Sequence, residues 1–359
     1  MSTVASRWTV IVPAAAAAVL VVAMLVPIGP LFALVCGAAL IAAVFAAVHH
    51  AEVVAHRTGE PFGTLVLAVA ITVIEVALIV SIMLTGGDDK SALPRDTVFA
   101  AVMIICNGVV GLCLLVGALR HHEQAFHLEG ANTGLAALIA MATLSLVLPT
   151  FTTSSPVGTY TVPQLAFAAI ASLALWGAFV FVQTVRHRDY FLPPADIANE
   201  DVHAPPPSNR RAAVSFGLLM VSLVAVVGLA KALSPNIERA VDAADAPKAI
   251  IGIAIAMLVL LPETWAAIRA ASNNRIQTSL NLAYGSALAS IGLTIPAVAI
   301  ASVWLAVPLE LGLQPKDMVL LTLTFLVSSI TLVSGRTHLM QGAVHLVILA
   351  AFLFLALVP

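Results

Sequence analysis

The sequence predicts an all-α polytopic membrane protein. Two compositional facts carry that reading: 61% of the 359 residues are hydrophobic against 9% charged, and mean hydropathy is +1.05. A third is that apolar runs of about 20 residues, the length a helix needs to cross a bilayer, succeed one another along the chain. An ordinary soluble domain carries about 25% charged residues, so a soluble enzyme, a nucleic-acid binder and a disordered chain are excluded. No run alternates with the period of two that a transmembrane barrel strand requires. Cys36, Cys106 and Cys113 each sit within an apolar run and read as small core residues rather than a disulfide framework or metal site. The formal net charge of −2 singles out no partner beyond the lipid bilayer itself.

Charge clusters and Pro/Gly punctuation divide the apolar runs into eleven helices, near 8–28, 31–55, 62–85, 97–119, 133–150, 163–184, 212–232, 247–269, 278–306, 317–334 and 340–358. The first follows Arg7 as a signal peptide would, but Pro27, Gly29 and Pro30 lead straight into a second span, so it is expected to stay uncleaved. The second ends at His56 and Arg57, and Gly59–Pro61 opens the third. Gly86–Asp89 closes the third, and the fourth lies between Arg95 and Arg120. Pro149 ends the fifth, and Arg186 the sixth. Beyond them, Arg210 and Arg211 precede the seventh, which stops at Lys231. Arg269, Pro308 and Arg336 bound the eighth, ninth and tenth.

An odd number of spans puts the two ends of the chain on opposite sides. With the N-terminus inside, Arg7, Arg57, Arg120, Arg186, Arg188, Arg210, Arg211, Arg269, Arg275 and Arg336 are cytoplasmic. Lys90, Arg95, Lys231, Arg239, Lys248 and Lys316 are outside, so the positive-inside bias favours a cytoplasmic N-terminus and an external C-terminus in the cell's inner (plasma) membrane. The loop at 186–211, with Pro193, Pro194 and Pro205–Pro207, is the only linker long enough to separate two halves. The expected organisation is one extra helix (1–30), five helices (31–184), a cytoplasmic linker (185–211) and five more helices (212–359). Five spans per half force the halves into opposite orientations, the inverted-repeat plan of many secondary transporters.

Two acidic residues fall well inside predicted spans, Glu75 and Glu263. A carboxylate at the centre of a bilayer costs at least about 2.5–3.5 kcal/mol on insertion scales, and intramembrane ionisable groups are usually functional. Each lies in the second helix of its half, so inverted halves would bring the two together near the midplane. The structural alternative is a pair of protonated, helix-bonding glutamic acids. Pro262 cannot donate to the carbonyl of Leu258, which leaves that oxygen open to a hard cation or to a simple packing kink. Asn107 in the next span of the first half, and Ser286 and Ser290 in that of the second, are candidate neutral ligands. Ser286 and Ser290 share a helix face, as do Thr72 and Glu75. A lone hydroxyl more often bonds back to its own helix, whereas an amide in lipid needs a partner.

Gly285, Ala289 and Gly292 form a small-residue stripe that reads as close helix packing. All ten histidines, His345 included, fall at or near the cytoplasmic side, as a pH-sensing face or merely a solvated one. The outer acids Asp88, Asp89, Asp96, Asp242 and Asp245 read as soluble loop residues.

With these residues in view the sequence resembles the cation/calcium exchanger superfamily. The resemblance rests on His56–Gly63 running into Ile71–Val80 around Glu75, and on Pro262–Glu263 followed by Gly285–Ser286 and Ile295–Pro296, and it spans residue 31 to the end. It implies an extra first helix, two inverted five-helix repeats, and two repeat glutamates that bind the cation in turn with protons, here Glu75 and Glu263. Two departures stand out. Many calcium exchangers carry Gly-Asn-Ala before the repeat glutamate, where this chain has Ile71–Ile74 and Val259–Pro262. A glutamine common after the second Gly-Ser pair is Ala289 here.

The function so expected is export of cytoplasmic Ca²⁺ in exchange for protons, with no cofactor and no enzymatic step. Exchange of Na⁺ or K⁺ for protons on the same residues is the runner-up. An ion channel is disfavoured for want of a filter-like loop, and a membrane enzyme for want of an H-E-x-x-H or G-x-S-x-G motif.

Overall fold

A computed structural model describes residues 5–59, 62–84, 91–192, 207–245 and 247–358. Glu60, Pro61, Asp88, Asp89, Lys90, Pro193, Pro194, His203, Pro205 and Pro359 figure in the sequence reading and lie outside them. The described residues form eleven helices, joined by connectors with one isolated bridge between Ala125 and Arg336. They are α1 (Ala5–Leu25), α2 (Pro30–Thr58), α3 (Phe62–Met83), α4 (Leu93–His121), α5 (Leu128–Thr150) and α6 (Val162–Arg186). The remainder are α7 (Asn209–Ala243), α8 (Ala249–Ser272), α9 (Ile276–Leu305), α10 (Pro315–Val333) and α11 (Leu339–Leu357). All but α3 are, over their described residues, long and apolar enough to cross a membrane, and the described apolar stretch of α3 is Ala68–Met83. The outward faces are apolar, with Trp304 88% and Leu31 78% exposed. That inversion of soluble-protein burial is what lipid as solvent demands.

Two helices run past their expected ends. Charge closed the apolar run near 97 and 232, but it does not close a helix whose charges find partners. Arg95 is buried in the first turn of α4, where its Nε donates to Asp96 at 2.8 Å and its Nη1 to Glu310 at 2.5 Å and the Gly312 carbonyl at 3.0 Å. Asp96, expected in a soluble loop, is thus half of a helix-end ion pair. In α7 the helix continues through Pro235 to Ala243. There Arg239 bonds the Pro235 carbonyl (3.1 Å) and the Asn236 amide oxygen (2.7 Å), and Ser234 bonds Glu238 (3.2 Å).

The chain divides into two compact units. The first comprises Met1–Lys90 and Ala204–Ile251. Its centre is α2, which packs along α7 and beside α3 and α1. Small residues make the seam: Ala43, Ala46, Ala47 and Ala51 of α2 and Ala225 of α7 are fully buried. Pro13 in α1 has no N–H for the Thr9 carbonyl, and the buried His50 ring of α2 bonds that oxygen through Nε2 at 2.8 Å. At the C-terminal end of α2, Arg57 Nε donates to Asn209 Oδ1 at 2.7 Å, and Ser208 caps α7.

The second unit comprises Ser91–His203 and Gly252–Pro359. Here α9 packs on α5, α6 and α4, and α11 lies along α4. The connectors gather at two opposite ends. At one, Gln124 bonds the Ala271 carbonyl and Asn274, Thr337 donates its N–H to the Gln124 carbonyl, and the His127 N–H reaches Gln277. At the other, Gly158 (φ 84°) offers its carbonyl to Leu311 and Gly312, and Leu313 bonds the Leu146 carbonyl. Such alternation is what single crossings by successive helices produce. Gly292 serves the packing role expected of it, since a Cβ there would stand 2.5 Å from the Cβ of Trp176, whereas a Cβ at Gly285 would meet nothing within 4 Å among the described residues.

Candidate functional site

Glu75 lies in α3, buried at 3% exposure, with Thr72 one turn before it also buried at 8%. Val69 and Val73, on other faces of the helix, are exposed. The helix therefore separates a face that carries the carboxylate and hydroxyl from one that is apolar and outward. Glu75 and Thr72 belong to the first compact unit.

The other candidates belong to the second unit. Glu263 sits in α8 with both carboxylate oxygens shielded from solvent, while Leu261 and Trp265 on either side are exposed. Its face is shared with the buried Val259, Leu260 and Ala267. Pro262 lies inside the helix, so the Leu258 carbonyl receives no N–H from it. The Thr9–Pro13 pair of α1 illustrates the consequence, because there a polar side chain takes up the open oxygen. Thr264 bonds back to the Leu260 carbonyl at 2.7 Å. In α9, Ser290 is buried and Ser286 half-buried.

Asn107 has the most fully specified surroundings. It is wholly buried, and it lies in a π-helical turn of α4, Ile104–Val109. Such turns widen the helix by one residue and cluster at functional positions. Its Nδ2 donates to Thr324 Oγ1 of α10 at 2.9 Å, and its Oδ1 lies 3.2 Å from Nδ1 of His345 in α11. The His345 Nε2 lies 3.1 Å from Thr331 Oγ1, and Thr324 Oγ1 donates to Met103 Sδ at 3.4 Å. Its Nδ2 also lies 3.9 Å from Met103 Sδ within α4, and its partners on other helices are on α10 and α11, not the serines of α9.

His345 corrects the sequence reading of the histidines. It is a fully buried residue in the body of a span, and His50 is buried as well, so neither belongs to a solvated face. The available signal was an imidazole within an apolar run, the same signal that singles out Asn107. Its position only a few residues past the expected start of its helix concealed it. Thr324 and Thr331 went unnoticed because hydroxyls within spans are common.

Glycines let α11 come this close. A Cβ on Gly342 would stand 2.7 Å from the Leu115 backbone nitrogen and 2.9 Å from the Gly111 carbonyl. One on Gly111 would stand 3.0 Å from the Cβ of His345. The absence of side chains at both places brings the imidazole to the amide.

Among the described residues, eleven helices with apolar exposed faces bury two carboxylates and an amide, the arrangement of a multi-pass membrane protein with ionisable groups inside its spans. The chain belongs to the sodium/calcium exchanger protein family, whose sequence profile matches residues 28–185 and again 214–358. It is 50% identical over 317 residues to the y4hA protein of Sinorhizobium fredii, covering 88% of this chain and 86% of that one. It is 34% identical over 316 residues to the sodium-potassium/proton antiporter ChaA of Escherichia coli, covering 88% and 85%. Among solved structures it superposes on native YfkE with a TM-score of 0.75 at 18% identity, over 98% of this chain and 100% of that one.

Proposed function

We propose that this antiporter exports cytoplasmic Ca²⁺ in exchange for protons by alternating access, with Glu75 and Glu263 each taking up cation or proton in turn. The observation that carries the reading is the pair of glutamates, each set inward from a helix whose neighbouring positions face lipid. Two carboxylates are neutralised equally by one Ca²⁺ or by two protons. Either loaded form is uncharged and can change access, whereas the empty dianion is penalised by desolvation. That asymmetry couples the two fluxes. Calcium takes six to eight oxygen ligands, and two carboxylates supply up to four. Asn107, Ser286, Ser290, Thr72, the Leu258 carbonyl and water are the candidates for the remainder.

Exchange of Na⁺ or K⁺ for protons is the second reading. Two observations favour it: the name of the 34%-identical relative, and the stretches Ile71–Ile74 and Val259–Pro262, which carry no amide and, of side-chain oxygens, only the Thr72 hydroxyl. Purified protein in vesicles with an imposed pH gradient separates the two readings, with Ca²⁺, Na⁺ and K⁺ uptake measured in parallel. Proton-driven Ca²⁺ uptake is expected, Na⁺ or K⁺ uptake alone selects the second reading, and movement of none of the three contradicts both.

The orientation proposed is a cytoplasmic N-terminus and linker with Pro359 outside, on the arginine bias and the odd span count. Single cysteines in place of Ser91 and Ser208 test it with an impermeant thiol reagent on intact cells. Labelling at 91 and not at 208 is expected, and the opposite pattern reverses the topology.

A further inference from the structure

We infer that His345 is a positioning residue for cation binding: it holds the Asn107 carboxamide with its oxygen, not its NH₂, available as a ligand. The inference rests on the reading of Asn107 as a cation ligand. An amide can present either end, and only the oxygen attracts a cation. Something must therefore decide which way it points.

The buried chain of bonds decides it from the Met103 end. The thioether of Met103 has no proton to give, so the Thr324 hydroxyl donates to it and is left to accept from Asn107. That places the NH₂ towards Thr324. With the amide so turned, its oxygen faces Nδ1 of His345, 3.2 Å away, and accepts from the ring tautomer that carries its proton there; Nε2 of that tautomer accepts from the Thr331 hydroxyl, 3.1 Å away. The four bonds run in one direction, Thr331 to His345 to Asn107 to Thr324 to Met103, and bonds aligned in this way reinforce one another. Flipping the amide would force the Thr324 hydroxyl off the Met103 sulfur and the imidazole into its other tautomer. All four polar residues are at most 4% exposed, so water cannot substitute for a lost partner. The His345 bond uses one of the two lone pairs of the Asn107 oxygen, and the second is the one a cation would take.

The test uses isosteres. In the place of His345, an asparagine puts an NH₂ near the position of Nδ1, whereas a glutamine reaches towards that of Nε2. Reconstituted His345→Asn, His345→Gln, His345→Leu and Asn107→Ala proteins are assayed for cation exchange, with Ca²⁺ as the first probe and Na⁺ in parallel. The Asn107→Ala, His345→Gln and His345→Leu variants should each raise KM about tenfold, the worth of one buried hydrogen bond or ligand. Their kcat should stay within about twofold, because the interaction is made equally in bound and translocating forms. The His345→Asn variant should keep the native KM, a rescue that loss of packing alone does not produce. Adding His345→Gln to Asn107→Ala should cost nothing further.

Thr331→Val keeps the imidazole and its packing but removes the hydroxyl that holds the ring through Nε2. It should raise KM several-fold, and it supplies the answer if substitutions at 345 fail to fold. An unchanged KM in Asn107→Ala removes that residue as a ligand, and the inference with it. A raised KM there, with His345→Asn and His345→Gln alike or Thr331→Val unchanged, overturns the inference and leaves the ligand standing.

Discussion

Replacing either Glu75 or Glu263 by glutamine is expected to abolish exchange while leaving expression and membrane insertion at native levels. Glutamine keeps the shape of the side chain but can bind neither a proton nor, as an anion, a cation. A Ca²⁺ held by the remaining carboxylate would carry an uncompensated charge through the change of access. Several kcal/mol is the effective penalty for an unpaired ion in a protein interior, which at about 1.4 kcal/mol per decade means a fall of about a hundredfold or more. Both substitutions should also lose the proton-driven flux, because a glutamine carries no proton on the return half of the cycle. Exchange is read in vesicles, and insertion by monodispersity of the solubilised protein. Native exchange in either variant would make that carboxylate structural and the two-glutamate mechanism wrong.

A comparably large effect is expected from Gly342→Leu, for a different reason. Here the backbone of α4 stands where the side chain would go, with Leu115 N at 2.7 Å and the Gly111 carbonyl at 2.9 Å of a Cβ. Backbone cannot rotate aside as a flexible side chain does, so α11 must separate from α4 and take His345 away from Asn107. Overpacking of this kind costs about 1–3 kcal/mol or more. The variant should melt well below the native protein and lose monodispersity in detergent. Gly177→Ala in α6 is the control, since nothing lies within 4 Å of its Cβ, and it should melt like the native protein. Equal melting of Gly342→Leu and the native protein would mean that α4 and α11 are not held as described.

The helices were legible in the sequence because lipid imposes a strong pattern: a long apolar run bounded by charge or by Pro and Gly is a span. The pattern faltered where charge and helix end part company, at Arg95, which Asp96 and Glu310 neutralise, and along α7 beyond Lys231. The inward carboxylates were legible for the same reason, since Glu75 and Glu263 have no business in lipid unless something uses them. The surroundings of Asn107 were not. They depend on a π-turn that shifts the register of α4 and on two glycines that bring α11 near, and neither leaves a mark in hydropathy. Once the helices are packed, the role of His345 follows from which atoms can donate and which can only accept.

The central claim is that cation and protons compete for the same carboxylates, and cation binding with proton release, followed together on the purified protein, tests it most directly. Solubilised protein is titrated with Ca²⁺, and in parallel with Na⁺, from about pH 5 to pH 9, a range wide enough to bracket displaced carboxyl titrations. Because the linkage is reciprocal, acid should weaken cation binding, and cation binding should release protons into an unbuffered solution. Glu75→Gln and Glu263→Gln should each release fewer protons. Cation binding of constant affinity across the whole range, with no proton released, would contradict the account and place the two ions on separate sites.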